Sequence, residues 1–100
     1  MSTENVSNEE NGNGVLADVA CRNSVRWFAE RMEVKLAKND HKGGWGSCDL
    51  QYLSMRLTQE RKELTEAIKS KDKQRIIDEC ADIANFALMI ADKFGENYGR

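Results

Sequence analysis

Leu50, Leu53, Leu57, Leu64 and Ala67 recur at the spacing that gathers side chains on one face of an α-helix. Position 60, where this stripe calls for another apolar residue, holds Glu60, so the pattern predicts a carboxylate pointing inward. Farther along, Ile76, Ile77, Ile83, Phe86, Leu88, Met89, Ile90 and Phe94 alternate with Cys80 and several alanines. Apolar residues on nearly every side predict a helix enclosed by neighbours, with Glu79 and Asp82 in a protein interior. Upstream, Val25, Phe28, Met32 and Leu36 trace one face of another helix, expected from about Val15 to about Asn39.

The breaks between these segments are equally legible. Asp40 to Cys48 contains three glycines and ends the first helix, and Asp49 is placed to cap a second running from about Leu50 to Ser70. Lys69, Lys71 and Lys73 gather near its C-terminus, where the helix dipole favours positive charge. Asp72 caps the third helix, which Gly95 should stop near Phe94. With no alternating strand pattern and no proline, the expectation is an all-α antiparallel bundle of three main helices per chain. Residues 1–14, rich in Asn, Glu, Ser and Gly, read as a disordered tail, 15–95 as one helical domain and 96–100 as a C-terminal tail. The third helix carries more apolar surface than two neighbours cover. A second copy would complete a four-helix arrangement, so a homodimer or homotetramer is expected.

Composition narrows the partners. In 100 residues, 40% are hydrophobic and 32% charged, with a formal charge of -2 and a pI near 5.4, which argues against duplex nucleic acid. Cys21, Cys48 and Cys80 show no metal-site spacing and read as reduced thiols. Without a leader pattern or a long apolar run, the chain is expected to be cytoplasmic, with no membrane partner.

The chemistry centres on two acidic pairs, Glu60 with Glu63 and Glu79 with Asp82. Each has i, i+3 spacing, which puts both side chains on one helix face. Alone, such a pair usually decorates a solvated surface, and Glu60 and Glu63 have Arg61 and Lys62 beside them. Two pairs intruding on the apolar stripes of consecutive helices point instead to carboxylates converging on a shared site. Unpaired ionised carboxylates cost several kcal/mol each to bury. A divalent cation offsets that cost, and hard oxygen donors suit Mg²⁺ or Mn²⁺. A di-iron bundle would need Glu-x-x-His ligands, whereas the lone His41 lies in the glycine-rich loop.

Three further residues are candidates for substrate binding. Lys42 can meet a phosphate, and Trp45 can stack on a base or simply plug the end of the core. Asn85, three residues after Asp82, can bind a sugar hydroxyl or a metal-bound water, or form a buried hydrogen bond between helices. Trp27, beside Phe28, reads as core or subunit interface.

From about Phe28 to Phe94 the chain resembles the MazG-like all-α nucleoside triphosphate pyrophosphohydrolases. The resemblance rests on the ordered pair of motifs, Glu60-Arg61-Lys62-Glu63 then Glu79-Cys80-Ala81-Asp82. Asp78 to Phe86 and His41-Lys42-Gly43-Gly44-Trp45 look especially like compact members, often borne by phage or mobile elements. Many relatives carry Glu just before the first pair, where Gln59 stands here. The resemblance implies Mg²⁺ held by Glu60, Glu63, Glu79 and Asp82, and hydrolysis of a nucleoside triphosphate to monophosphate and pyrophosphate. It also implies that Glu63 or Glu60 accepts the proton of the attacking water. The competing expectation is a non-enzymatic helical interaction or regulatory module, which would bind neither metal nor nucleotide.

Overall fold

The computed structural model describes residues 20–95. The expected tails at 1–14 and 96–100 lie outside these residues. Three helices make up the fold: α1 (Asn23–Lys38), α2 (Leu50–Ser70) and α3 (Lys73–Asp92), with one 3₁₀ turn at Asp40–Lys42. Among the described residues there is no strand. The all-α reading therefore holds.

The caps explain the helix boundaries. Asp49 accepts a hydrogen bond from the Tyr52 amide at 2.8 Å, and Asp72 accepts one from Arg75 at 3.1 Å. Each satisfies an amide that the first helical turn leaves without a partner. Lys71 closes α2 with a left-handed φ of 61°, its amide donating to the carbonyls of Ala67 and Ile68. That conformation usually favours glycine, and the chain accepts its cost in return for satisfied carbonyls and an abrupt turn into α3. At the far end the chain tightens after Asp92, with Phe94 and Gly95 both donating to Ala91, so α3 ends two residues before Phe94. Of the stretch expected from about Val15, residues 15–19 lie outside the described residues, and α1 starts at Asn23. Arg22 before it is extended and provides no side-chain cap.

Contacts between helices fix their directions. Asn85 reaches Met32 while Asp82, one turn earlier on α3, reaches Lys35, one turn later on α1. The reversed order makes α1 and α3 antiparallel. Arg56 lies over Phe86 while Glu60, one turn later, meets Glu79, earlier on α3, so α2 and α3 are antiparallel as well. α3 packs against both partners, which do not pack on each other. It follows that α1 and α2 run parallel to each other, and residues 39–49 must return along the length of α3 to reach its far end, where Trp45 meets Asp92.

Only Leu53, Ala67 and Ala81 are fully buried apolar residues among those described. On α2 the buried positions are Leu53, Glu60 and Ala67, seven residues apart, which is the seam facing α3. Glu60 does point inward, at 6% exposure, as the interrupted stripe predicts. α3, by contrast, is not enclosed within one chain. Ala81 and Asn85 are its only buried residues, α1 has none, and Leu50, Met55, Ile68, Leu88 and Phe94 remain exposed. The two helices dock on neighbouring faces of α3 and leave the rest of its apolar circumference bare. No helix of the described residues is long and apolar enough to cross a membrane.

Candidate active site

Glu60 from α2 meets Glu79 and Asp82 from α3 where the two helices cross at their middle turns. One carboxylate oxygen of each lies within 4.8 Å of the others. Glu63 stands exposed beside this trio, outside the 4.8 Å group. Its charge still reaches the site, since it helps to raise the proton affinities of both Glu79 and Asp82.

The electrostatics are those of a crowded acid cluster. Burial pushes Glu79 up to about 7, reinforced by its contact with Glu60 and by the charges of Glu63, Glu60 and Asp82. Burial also raises Asp82, against the opposing pull of Lys35, with Asp78 and Glu63 adding to the rise. The Glu60–Glu79 contact is a hydrogen bond only when one of the two carries a proton. When both are ionised it is a meeting of acceptors, and Glu79 Oε1, buried from solvent, then has no donor. A divalent cation satisfies that oxygen as a proton does and suits the all-carboxylate donor set, so the residues present fit Mg²⁺ or Mn²⁺.

Each member of the trio also has one basic neighbour. Arg56 Nη2 lies 3.0 Å from Glu60, Lys35 Nζ 3.4 Å from Asp82 and Arg75 Nε 3.9 Å from Glu79. Glu60 thus takes its cation from Arg56, one turn earlier, rather than from the adjacent Arg61 or Lys62. Arg56 also donates to Gln59, and its guanidinium sits 5.0 Å above the Phe86 ring.

A cleft of about 490 Å³ opens beside the trio, with Asp82 in its wall. Its floor is α3 at Asp82, Asn85, Phe86 and Met89, and its sides bring Lys35 from α1 and Arg56 from α2. The returning connection supplies Lys42, Gly43, Gly44 and Trp45. Gly43 has φ 85°, the left-handed backbone that lets the chain leave the 3₁₀ turn and enter this crossing. Trp45 donates from Nε1 to Asp92 at 2.9 Å, tying the connection to the end of α3. The indole therefore anchors the loop and lines the cleft at once. Asn85, 4% exposed, forms the expected buried hydrogen bond between helices, Nδ2 donating to the Met32 carbonyl at 3.1 Å, and it also lies in the cleft floor. The sequence reading missed Lys35 and Arg56. The signal for Arg56 was its i, i+4 spacing to Glu60, whereas nothing local to α1 singles out Lys35.

The phosphoribosyl-ATP pyrophosphohydrolase family model matches residues 49–96, just under half of the chain. The matched stretch spans the whole of α2 and α3 and contains Glu60, Glu63, Glu79 and Asp82. The chain is similar there to a pyrophosphohydrolase family of the MazG-like, all-α kind. No curated protein and no solved structure matches the chain.

Proposed function

We propose that this chain is a Mg²⁺- or Mn²⁺-dependent pyrophosphohydrolase that converts a nucleoside triphosphate to its monophosphate and pyrophosphate. The observation that carries this reading is the carboxylate trio, with its unsatisfied Glu79 oxygen, opening through Asp82 onto a cleft lined by three cationic side chains. A volume of about 490 Å³ lies within the usual range of small-ligand pockets, about 300–1,000 Å³. The acids would hold the divalent ion, and Lys35, Lys42 and Arg56 would receive an anionic chain.

When bound, the ion neutralises triphosphate charge and makes the α-phosphorus more electrophilic. Glu60, Glu79 and Asp82 are the residues that would hold it, and Glu63, outside that group, would have to swing in to join them. Glu63, exposed at the edge of the trio, is also the carboxylate free to take the proton of the attacking water, with Glu60 the alternative. Water adds to the α-phosphorus, the bond to the α–β bridging oxygen breaks, and pyrophosphate departs with that electron pair. Of the residues that line the cleft, Lys42 would bind phosphate, Trp45 and Phe86 would flank a base, and Asn85 would bind a sugar hydroxyl or a metal-bound water.

Phosphoribosyl-ATP is the alternative substrate, favoured by the name of the matching family. Like a simple triphosphate, it presents a phosphoanhydride chain on a nucleoside. A second copy of the chain would cover the bare apolar sides of the helices, giving a cytoplasmic homodimer or homotetramer. The test is a panel of nucleoside and deoxynucleoside triphosphates plus phosphoribosyl-ATP, with Mg²⁺ or Mn²⁺ and product identification. Release of pyrophosphate that disappears with chelator, and falls about 100-fold or more in Glu60→Gln and Asp82→Asn, is expected. Absence of hydrolysis across the panel would refute the proposal.

A further inference from the structure

Each of the three carboxylates of the acid cluster has one basic side chain within 4 Å, but the cations are not equivalent. Lys35 and Arg56 line the cleft, whereas Arg75 does not. We propose that Lys35 and Arg56 are exchangeable counterions, which pair with Asp82 and Glu60 until a divalent cation takes those carboxylates and then turn to the phosphate chain in the cleft. This rests on the pyrophosphohydrolase reading and adds to it a coupling between the metal and anion sites.

The geometry supports exchange over permanent clamping. Arg56 is held by two different kinds of contact: its nitrogens bond Glu60 and Gln59, while its guanidinium face rests on Phe86. Losing the carboxylate leaves the stacked guanidinium in the cleft wall, with its donor fork available for phosphate. Lys35 Nζ lies 3.4 Å from Asp82, longer than the roughly 2.7–2.9 Å of a strong charge-assisted hydrogen bond. A flexible stem lets this ammonium move a short way toward the cleft at small cost. Two added positive charges among the carboxylates would repel both side chains, and a triphosphate is the largest negative charge available to them. By linkage, whatever the metal does for anion affinity the anion does for metal affinity.

The roles predict effects of opposite sign, which a merely structural pair would not show. Calorimetry would follow Mn²⁺ alone, then an α,β-methylene nucleoside triphosphate added to Mn²⁺-saturated protein, with circular dichroism checking that each variant keeps its helices. Arg56→Gln and Lys35→Gln should bind Mn²⁺ about three- to tenfold more tightly, because an internal competitor is gone. The same variants should bind the triphosphate about tenfold or more weakly, because a charged phosphate partner is gone. Arg75→Gln should gain Mn²⁺ affinity without losing triphosphate affinity, and Arg56→Lys should return Mn²⁺ affinity toward that of the unmodified chain. Weaker or unchanged Mn²⁺ binding in both cleft variants, or unchanged triphosphate binding, would overturn the exchange while leaving the enzymatic reading intact. An unmodified chain that binds neither probe would defeat both proposals.

Discussion

Replacing Glu79 by Gln should make the metal-free protein more stable above neutral pH, although it removes a polar contact. In the folded chain Glu79 holds its proton up to a pH of about 7, against 4.5 for an ordinary glutamate, because burial and three neighbouring carboxylates oppose its charge. The stabilisation that goes with the bound proton is complete below pH 4.5 and is lost as pH rises through 7. At about 1.4 kcal/mol for each tenfold change in proton affinity, ionised Glu79 burdens the fold by about 3 kcal/mol at pH 8. Its side chain is 13% exposed, so solvent screening trims the measurable effect to on the order of 1–3 kcal/mol. Gln is uncharged at both pH values. Urea unfolding at fixed protein concentration in chelator should show Glu79→Gln level with the unmodified chain near pH 4.5 and more stable by that amount at pH 8. Saturating Mn²⁺ should reverse the order at pH 8, since a ligand at 100 times its Kd adds about 2.7 kcal/mol only to the protein that binds it. A variant less stable at pH 8 in chelator, or a difference independent of pH, would refute the electrostatic account.

Trp45→Phe keeps an aromatic ring in the cleft but loses the bond to Asp92, so KM should rise while kcat stays near its original value, with about 1 kcal/mol less stability. Steady-state kinetics and thermal melting check both parts. Asn85→Ala leaves the Met32 carbonyl without its buried donor and should cost about 1–3 kcal/mol in urea unfolding; an unchanged midpoint would contradict that role. Ile68 is 54% exposed on α2, and if the proposed second copy covers it, Ile68→Glu should lower the sedimentation coefficient toward that of a monomer. A chain already monomeric before the change would dispose of the interface.

The legible features were those set by short-range spacing. Asp49 and Asp72 announced the starts of α2 and α3, because a capping carboxylate needs only an amide three residues on. Glu60 could be placed inside because a single polar residue interrupted a seven-residue seam. Its partner was also within reach, since of Arg56, Arg61 and Lys62 only Arg56 stands one turn away on the same face, where the docked Phe86 then holds it. Lys35 depended on antiparallel register between helices 47 positions apart at the paired residues, information that no local pattern holds. The surroundings of α3 were legible only in part: apolar composition reports what an element prefers to touch, and one chain supplies two neighbours, so what meets its remaining faces is not written in the helix itself.

The parallel arrangement of α1 and α2, with its long returning connection, divides the molecule in an instructive way. The acids lie on the matched stretch 49–96, whereas Lys35, Lys42 and Trp45 come from upstream of it. Half of the cleft wall thus lies outside the stretch that carries the acids, so the shape of the cleft can change through the first helix and the strap without disturbing the carboxylates. If the proposed reaction holds, exchanging residues 23–48 between related chains should shift nucleotide preference without abolishing hydrolysis.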